Sequence, residues 1–163
     1  DVALTALTSG LNADQVLTMV NTILTQNKTV VLEAVKVAGN SLKDASDGMK
    51  DDKEVVKAAV HANANALQFA SSDLKSSEDV ALTALTSGLN ADQVLTMVNT
   101  ILTQNKTVVL EAVKVAGNSL KDASDGMKDD KEVVKAAVHA NANALQFASS
   151  DLKSSEDVAL TAL

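Results

Sequence analysis

NKTVVLEAVKVAGNSLKDASDGMKD, residues 27–51, is the stretch that decides the fold, because its apolar residues recur with the period of a helix. The first apolar group occupies positions i, i+1, i+4 and i+5, which are Val30, Val31, Ala34 and Val35. This spacing places the four side chains on one face of an α-helix and argues against a β-strand. Asn27 belongs to the residue types preferred at a helix N-cap. The stretch therefore predicts a helix that begins directly after Asn27.

The second half of the stretch predicts a second helix. Asn40 is another N-cap candidate, and Asn65 holds the corresponding place one sub-unit later. The apolar residues that follow Asn40 share one helical face and are Leu42, Ala45 and Met49. Helices of about ten residues are marginal alone, so each pair needs neighbouring pairs against which to pack. The sequence therefore predicts stacked helix pairs.

This pattern occurs three times before the sequence repeats itself exactly. DKEVVKAAV begins at Asp52 and SEDVALTAL at Ser77, which are two equal steps along the chain, whereas the step to the next NKTVVLEAV, at Asn105, is longer. We call these sub-units first, second and third, and the third carries the extra residues around Thr86–Asp92. Asn27, Asp52 and Ser77 are their N-cap candidates. We expect an all-α solenoid of short helix pairs, with three pairs per 78-residue perfect tandem repeat.

The 78-residue unit is repeated without a change. Residues 1–78 form copy 1, residues 79–156 form copy 2, and residues 157–163 begin a third copy. Natural repeats drift, so this identity indicates recent duplication, engineered concatenation or one sequence assigned along a long periodic object. Both ends fall within the same predicted helix, and we therefore interpret the chain as a segment of a longer array.

Composition narrows the classes of partner. The 14 positive charges are all lysines and the formal net charge is −7, so nucleic-acid phosphates and anionic membrane surfaces are unfavourable partners. No apolar run is long enough to span a bilayer as a helix, so no membrane insertion is expected. Cysteine is absent, and the aromatic residues are Phe69 and Phe147 alone. The core must therefore consist of small aliphatic side chains.

Two segments resemble a known family. Asp52–Ser77, with DKEVVKAAV and NALQFASSDLKSS, is similar to repeats of the domain of unknown function 4116 family. Those repeats favour a D-K-E-V-V start, an A-V pair, an A-L-x-x-A-S segment and an L-K-x-x ending. Asn27–Asp51 matches through NKTVVLEAV, SLKDAS and MKDD, whereas the third sub-unit lacks the A-S pair. The resemblance covers about two-thirds of the chain and implies short helical repeats without a particular activity.

The most charged stretch has a partial likeness to a calcium-binding loop. Lys43–Glu54 reads KDASDGMKDDKE and places acidic residues and a glycine at loop positions 5, 6 and 12, which are Asp47, Gly48 and Glu54. Positions 1 and 3 would be Lys43 and Ala45, which supply no carboxylate. We therefore expect Gly48 to end one helix and Asp51 or Asp52 to cap the next.

No residue pattern indicates catalysis or a cofactor. His61 and its copy His139 have no nucleophile or second metal ligand nearby, and we interpret them as helix-end or surface residues. No nucleophile-elbow, P-loop or dinucleotide-binding motif occurs. The methionines fall at core-like positions. We expect a protein that is not an enzyme and that binds no metal.

Asn27-Lys28-Thr29 and Asn105-Lys106-Thr107 are N-glycosylation sequons. They matter only if the protein enters a secretory pathway, and N-capping is the simpler interpretation of both asparagines. The sequence leaves the location open and slightly favours a cell-surface or extracellular one.

The third sub-unit is the anomaly in the array. Between Ser77 and Gln104 the charged residues are Glu78, Asp79 and Asp92, and the helix predicted at Gln93–Thr103 has more apolar surface than one stripe requires. One hypothesis is a contact between arrays, made by Val94, Met97 and Ile101 and by their copies Val16, Met19 and Ile23. The alternative is that this helix is simply more buried within its own array.

Identical units make identical interfaces, and a head-to-tail interface that does not close gives an open superhelix. The leading hypothesis is therefore a structural repeat protein that forms or extends a filament with itself as partner, head to tail and also laterally. A solenoid scaffold that binds a periodic protein partner is the second hypothesis, and an engineered array is the third.

Overall fold

In a computed structural model of the chain, residues 22–87, 91–98 and 100–162 are described, and within these ranges every regular element is a helix. The α-helices are α1 (Lys28–Val37), α2 (Asp47–Lys50), α3 (Lys53–Ala62), α4 (Ser72–Lys75), α5 (Glu78–Thr86), α6 (Ala91–Met97), α7 (Lys106–Val115), α8 (Asp125–Lys128), α9 (Lys131–Ala140), α10 (Ser150–Lys153) and α11 (Glu156–Ala159). The 3₁₀-helices are Gly39–Asp44, Ala64–Phe69, Thr100–Gln104, Gly117–Asp122, Ala142–Phe147 and Leu160–Ala162. The predicted all-α class of short packed helices is confirmed.

The long helices begin where the sequence predicts. The Asn27 side chain accepts a hydrogen bond from the Val30 amide at 3.2 Å. The Asp52 carboxylate accepts bonds from the amides of Glu54 at 3.0 Å and Val55 at 3.2 Å. Each cap satisfies amides that have no partner within the helix. Ser77 also precedes a helix, although its hydroxyl makes no capping bond.

The second predicted helix is wrong as a single element, because a 3₁₀-helix and a short α-helix take its place. Ala45 between them has an extended backbone with φ −70° and ψ 157°. At this point the Ser46 amide donates to the Thr25 carbonyl of the preceding sub-unit at 3.1 Å. The backbone therefore leaves the helical path to make a hydrogen bond with its neighbour.

Three predicted helix-boundary residues have other positions in the structure because the second helix is divided. Asn40 lies inside the 3₁₀-helix Gly39–Asp44 and does not cap it. Asn63, and not Asn65, caps the next 3₁₀-helix, since its side chain accepts a bond from the Asn65 amide at 3.0 Å. Gly48 lies within α2 and does not end a helix.

The backbone bond between neighbouring sub-units recurs along the array. The Ser71 amide donates to the Lys50 carbonyl at 2.9 Å. In copy 2 the Ser124 amide donates to the Thr103 carbonyl at 3.0 Å, and the Ser149 amide to the Lys128 carbonyl at 2.9 Å. Each of these bonds, which we call backbone rungs, joins the end of one sub-unit to the middle of the next.

The helices form two layers. The long helices α1, α3, α5, α7, α9 and α11 contact one another in that order. The 3₁₀-helices pair in the second layer, where α6 contacts Ala64–Phe69 on one side and Gly117–Asp122 on the other. Between the layers lies an aliphatic core in two clusters, and in α3 its fully buried members are Val55, Val56, Ala59 and Val60.

Two glycines set how closely the layers approach. A Cβ atom at Gly39 would lie 2.3 Å from the Ala59 carbonyl oxygen, and one at Gly117 would lie 2.3 Å from that of Ala137. Any side chain at either position would force the 3₁₀-helix away from the next long helix. Within the described ranges no helix is long and apolar enough to cross a membrane.

Candidate assembly surface

The upstream face of α1 carries an apolar groove. Val30 is 41% exposed and Leu24 is 44% exposed, although both are large aliphatic residues. They line a depression that we call the α1 groove, together with Thr25, Val31, Ala34, Ser41, Asp44 and Ala45. Covering such side chains is favourable by about 25 cal/mol for each Å² of apolar surface removed from water.

The same sequence is covered in copy 2. Helix α7 repeats the residues of α1, and its Val108 and Ala112 are fully buried. The third sub-unit supplies the cover, because both α5 and α6 contact α7. The α1 groove is the same face of a first sub-unit, and the residues that precede it, 1–26, repeat the sequence of residues 79–104.

A row of polar contacts crosses the junctions at the N-terminal ends of the long helices. At the junction of the first and second sub-units, the Lys28 ammonium lies 2.9 Å from the Asp52 carboxylate and 2.8 Å from that of Glu54. In copy 2 the equivalent Lys106 lies 2.8 Å from the carboxylates of both Asp130 and Glu132. In each copy the lysine comes from the earlier sub-unit.

The junction of the second and third sub-units has the same polarity. Lys53 and Lys57 lie 2.8 Å and 2.7 Å from the Asp79 carboxylate. Hydrogen bonds from these two ammonium groups lower the pKa of Asp79 from 3.8 to about 2. Lys131 and Lys135 lower the pKa of Asp157 to about 2 in the same way. These pairs are exposed, so each contributes little to stability.

The junction between a third sub-unit and the next first one is different. The third sub-unit contains no lysine. Its Glu78 carboxylate instead accepts a hydrogen bond from the Asn105 side-chain amide at 3.1 Å. Asn105 also caps α7 by accepting a bond from the Val108 amide at 3.1 Å. Asn105 therefore contacts the preceding sub-unit and also caps the helix that follows it.

The structure separates the six residues predicted to join arrays. Val94 is fully buried in the chain's own core, and Met97 is half-buried against the same core. Ile23 is 41% exposed. The side chain of Ile101, and all of Val16 and Met19, lie outside the described part of the chain. The predicted helix Gln93–Thr103 is also divided, because α6 ends at Met97 and a 3₁₀-helix follows.

The remaining candidate residues lie at helix ends, in an ion pair or at the surface. Asn27 and Asn105 of the two sequons both cap helices. In the calcium-like stretch Asp47 lies in α2, whereas Glu54 pairs with Lys28 at 2.8 Å. The described ranges contain no group of three side chains suited to hold a metal ion. His61 and His139 are exposed in the last turns of α3 and α9.

The chain matches one known family, and each matched segment begins where a sub-unit begins. The profile of the domain of unknown function DUF4116 matches residues 27–75, 52–91, 105–153 and 130–163. The chain belongs to the DUF4116 family. The first and third of these segments each span two successive sub-units, so one DUF4116 match corresponds to two packed sub-units. Residues 92–104, which hold the end of α6 and the 3₁₀-helix Thr100–Gln104, are the part between the matches that departs from the family pattern.

Two other comparisons bring nothing further. No curated protein and no solved structure matches the chain.

Proposed function

We propose that this DUF4116 protein is a non-catalytic structural protein whose helical arrays join end to end into a filament. The observation that supports this is the face of a first sub-unit that receives a third one. In α7 this face is fully buried at Val108 and Ala112, and both α5 and α6 contact the helix. A third sub-unit at the end of one array that covered the first sub-unit of another array would repeat an interface that the chain already makes.

The form of the array favours an open assembly. Each sub-unit contacts the next through the same two layers and the same backbone rungs, so adding a unit creates the acceptor face for another. A head-to-tail contact that does not close has no natural length. Assembly would therefore grow with protein concentration and would not stop at a dimer.

The test is to block the groove without disturbing the fold. Val30→Lys places a charge in the α1 groove, whereas Val37→Lys alters a valine of the same helix that is 88% exposed and lies outside the groove. Light scattering and negative-stain electron microscopy across a concentration series should show long assemblies for the natural chain and for Val37→Lys. Val30→Lys should shift growth to at least tenfold higher concentration, since about 1.4 kcal/mol of interface energy corresponds to a factor of ten.

Two results would overturn the proposal. One is a natural chain that remains monomeric at every concentration up to the millimolar range. The other is equal assembly of Val30→Lys and Val37→Lys, which would show that the α1 groove takes no part.

A second function, a scaffold for a periodic protein partner, is supported by a different surface. Val37 and its copy Val115 are 88% and 56% exposed at the C-terminal ends of α1 and α7, one repeat unit apart. Apolar side chains at a fixed spacing suit a partner with the same period. The Val37→Lys, Val115→Lys double variant would then assemble normally and lose that partner in a pull-down with the natural chain as reference.

A further inference from the structure

The three kinds of junction in the array differ in the extent of contact between their long helices. The contact is most extensive where a first sub-unit meets a second one, between α1 and α3 and between α7 and α9. It is smaller between α3 and α5, where a second sub-unit meets a third, and smallest between α5 and α7, where a third meets the next first one. These helices have nine or ten residues each, so their lengths do not account for the difference.

Two further features tighten the junction of a first and a second sub-unit. Gly39 lets its 3₁₀-helix approach the next long helix, whereas the second sub-unit has Ala64 at this place, and its methyl group needs room. Beside the backbone rung, the Ser71 hydroxyl donates a hydrogen bond to the Asp51 carboxylate, and the same bond recurs in copy 2. The third sub-unit has Gln104 in the place of Asp51, so it offers no carboxylate there to the next first sub-unit.

The polar contacts at the helix starts differ in the same direction. The Lys28 ammonium contacts two carboxylates of the second sub-unit, and two lysines of the second sub-unit contact Asp79 of the third. Where a third sub-unit meets the next first one, a hydrogen bond from the Asn105 amide to Glu78 takes the place of these ion pairs. Exposed ion pairs contribute little individually. They therefore add to a difference that arises mainly from packing.

We infer that the array opens first where a third sub-unit meets the next first one, and that a first and a second sub-unit stay closed as a pair. Local opening costs less free energy where fewer buried contacts are broken. The family model supports the pair independently, because its matches at residues 27–75 and 105–153 each span a first and a second sub-unit, and no match crosses from a third sub-unit into a first one. Opening at this junction would uncover Val108 and Ala112 of α7. The inference concerns a single chain and goes beyond the proposed assembly.

Three equivalent valines allow each kind of junction to be probed in the same way. Val133, Val80 and Val108 are each the third residue after a helix cap and are each fully buried. The equivalent Val30 in α1 is 41% exposed and lines the groove, so this position lies on the face towards the preceding sub-unit. The chain contains no cysteine. A single valine-to-cysteine change at each place therefore gives one thiol that reacts only when its junction opens.

The experiment measures how fast an excess of an aromatic disulfide reagent labels Val133→Cys, Val80→Cys and Val108→Cys, in buffer and in urea below the unfolding transition. Val108→Cys should react at least about tenfold faster than Val133→Cys, with Val80→Cys between them, because the three junctions should open with different free energies. Circular dichroism of each variant in urea gives the stability to global unfolding as the reference. Equal rates after this correction, or a fastest reaction of Val133→Cys, would overturn the inference.

A change of the polar contact separates opening of this junction from unfolding of the whole chain. Glu78→Lys combined with Asn105→Asp gives the junction a lysine and a carboxylate like those of the other two, and aspartate caps a helix as well as asparagine does. Labelling of Val108→Cys should become roughly two- to fivefold slower, while labelling of Val133→Cys should stay unchanged. An unchanged rate for Val108→Cys, or equal slowing of both thiols, would refute opening at this junction. The rates should also be independent of protein concentration, so they stand apart from the filament.

Discussion

Helices α1 and α7 have the same ten residues, KTVVLEAVKV, and yet they differ in what covers them. Val30 in α1 is 41% exposed, whereas the corresponding Val108 in α7 is fully buried beneath the third sub-unit. The segments that precede the two helices also share one sequence, since residues 1–26 repeat residues 79–104, and most of the segment before α1 lies outside the described part of the chain. A sequence pattern shows which face is suited to burial, and α7 shows that face covered.

The largest expected effect tests this difference directly. Val108→Ala should lower the free energy of unfolding by about 2 kcal/mol, because it removes two methyl groups from a filled site. Val30→Ala should change it by less than about 0.5 kcal/mol, as is usual for partly exposed positions. Both variants gain the same helix propensity from alanine, so chemical denaturation of the two gives a matched comparison. Equal losses would mean that α1 is as well covered as α7.

An effect of similar size tests whether the first sub-units of the two copies differ on the upstream face only, and agree where each meets its second sub-unit. Gly39→Ala and Gly117→Ala should each cost about 1–3 kcal/mol, because each added Cβ would overlap a backbone carbonyl oxygen of the next long helix. Gly126→Ala is the control, since nothing lies within 4 Å of its added Cβ and the residue is in a short helix. Thermal unfolding of the three variants would contradict the close approach if Gly117→Ala matched Gly126→Ala.

The smallest effect concerns the junction of the second and third sub-units. The pKa of Asp79 is about 2 in the folded chain and 3.8 for an unperturbed aspartate, so its contribution to stability is present above pH 3.8 and is lost as pH falls toward 2. Asp79→Asn should therefore lower the urea midpoint at pH 6 by more than it does at pH 2. A pH-independent effect of Asp79→Asn would contradict the role of this pair.

Much of the fold could be predicted from the sequence because local chemistry determines it. The caps at Asn27 and Asp52 use bonds between residues close together in the chain, and the apolar stripe of α3 follows from helix geometry alone. The break at Ala45 could not be predicted in this way. It depends on a backbone bond from Ser46 to Thr25 of the preceding sub-unit, which no pattern within the second helix records.

The candidate surface was only partly predictable for the same reason. The excess of apolar residues in the third sub-unit was visible in the sequence. Val94 is buried because α6 contacts a 3₁₀-helix of the second layer on each side. The lysine-free composition of Ser77–Gln104 was also visible, but its meaning required the contact between Glu78 and Asn105, which are far apart in the sequence. Gly39 and Gly117 gave a usable signal, since glycine is costly within helices unless space demands it.

The backbone rungs have a mechanical consequence. They use main-chain atoms only, so substitutions in the side chains of Ser46, Ser71 or Ser124 leave the donors in place. Each rung ties adjacent sub-units and no others, which puts the rungs in series along the axis. A tensile load applied to the two ends would pass undiminished through every junction. The array would then yield one sub-unit at a time, lengthening in discrete steps while the remainder kept its shape.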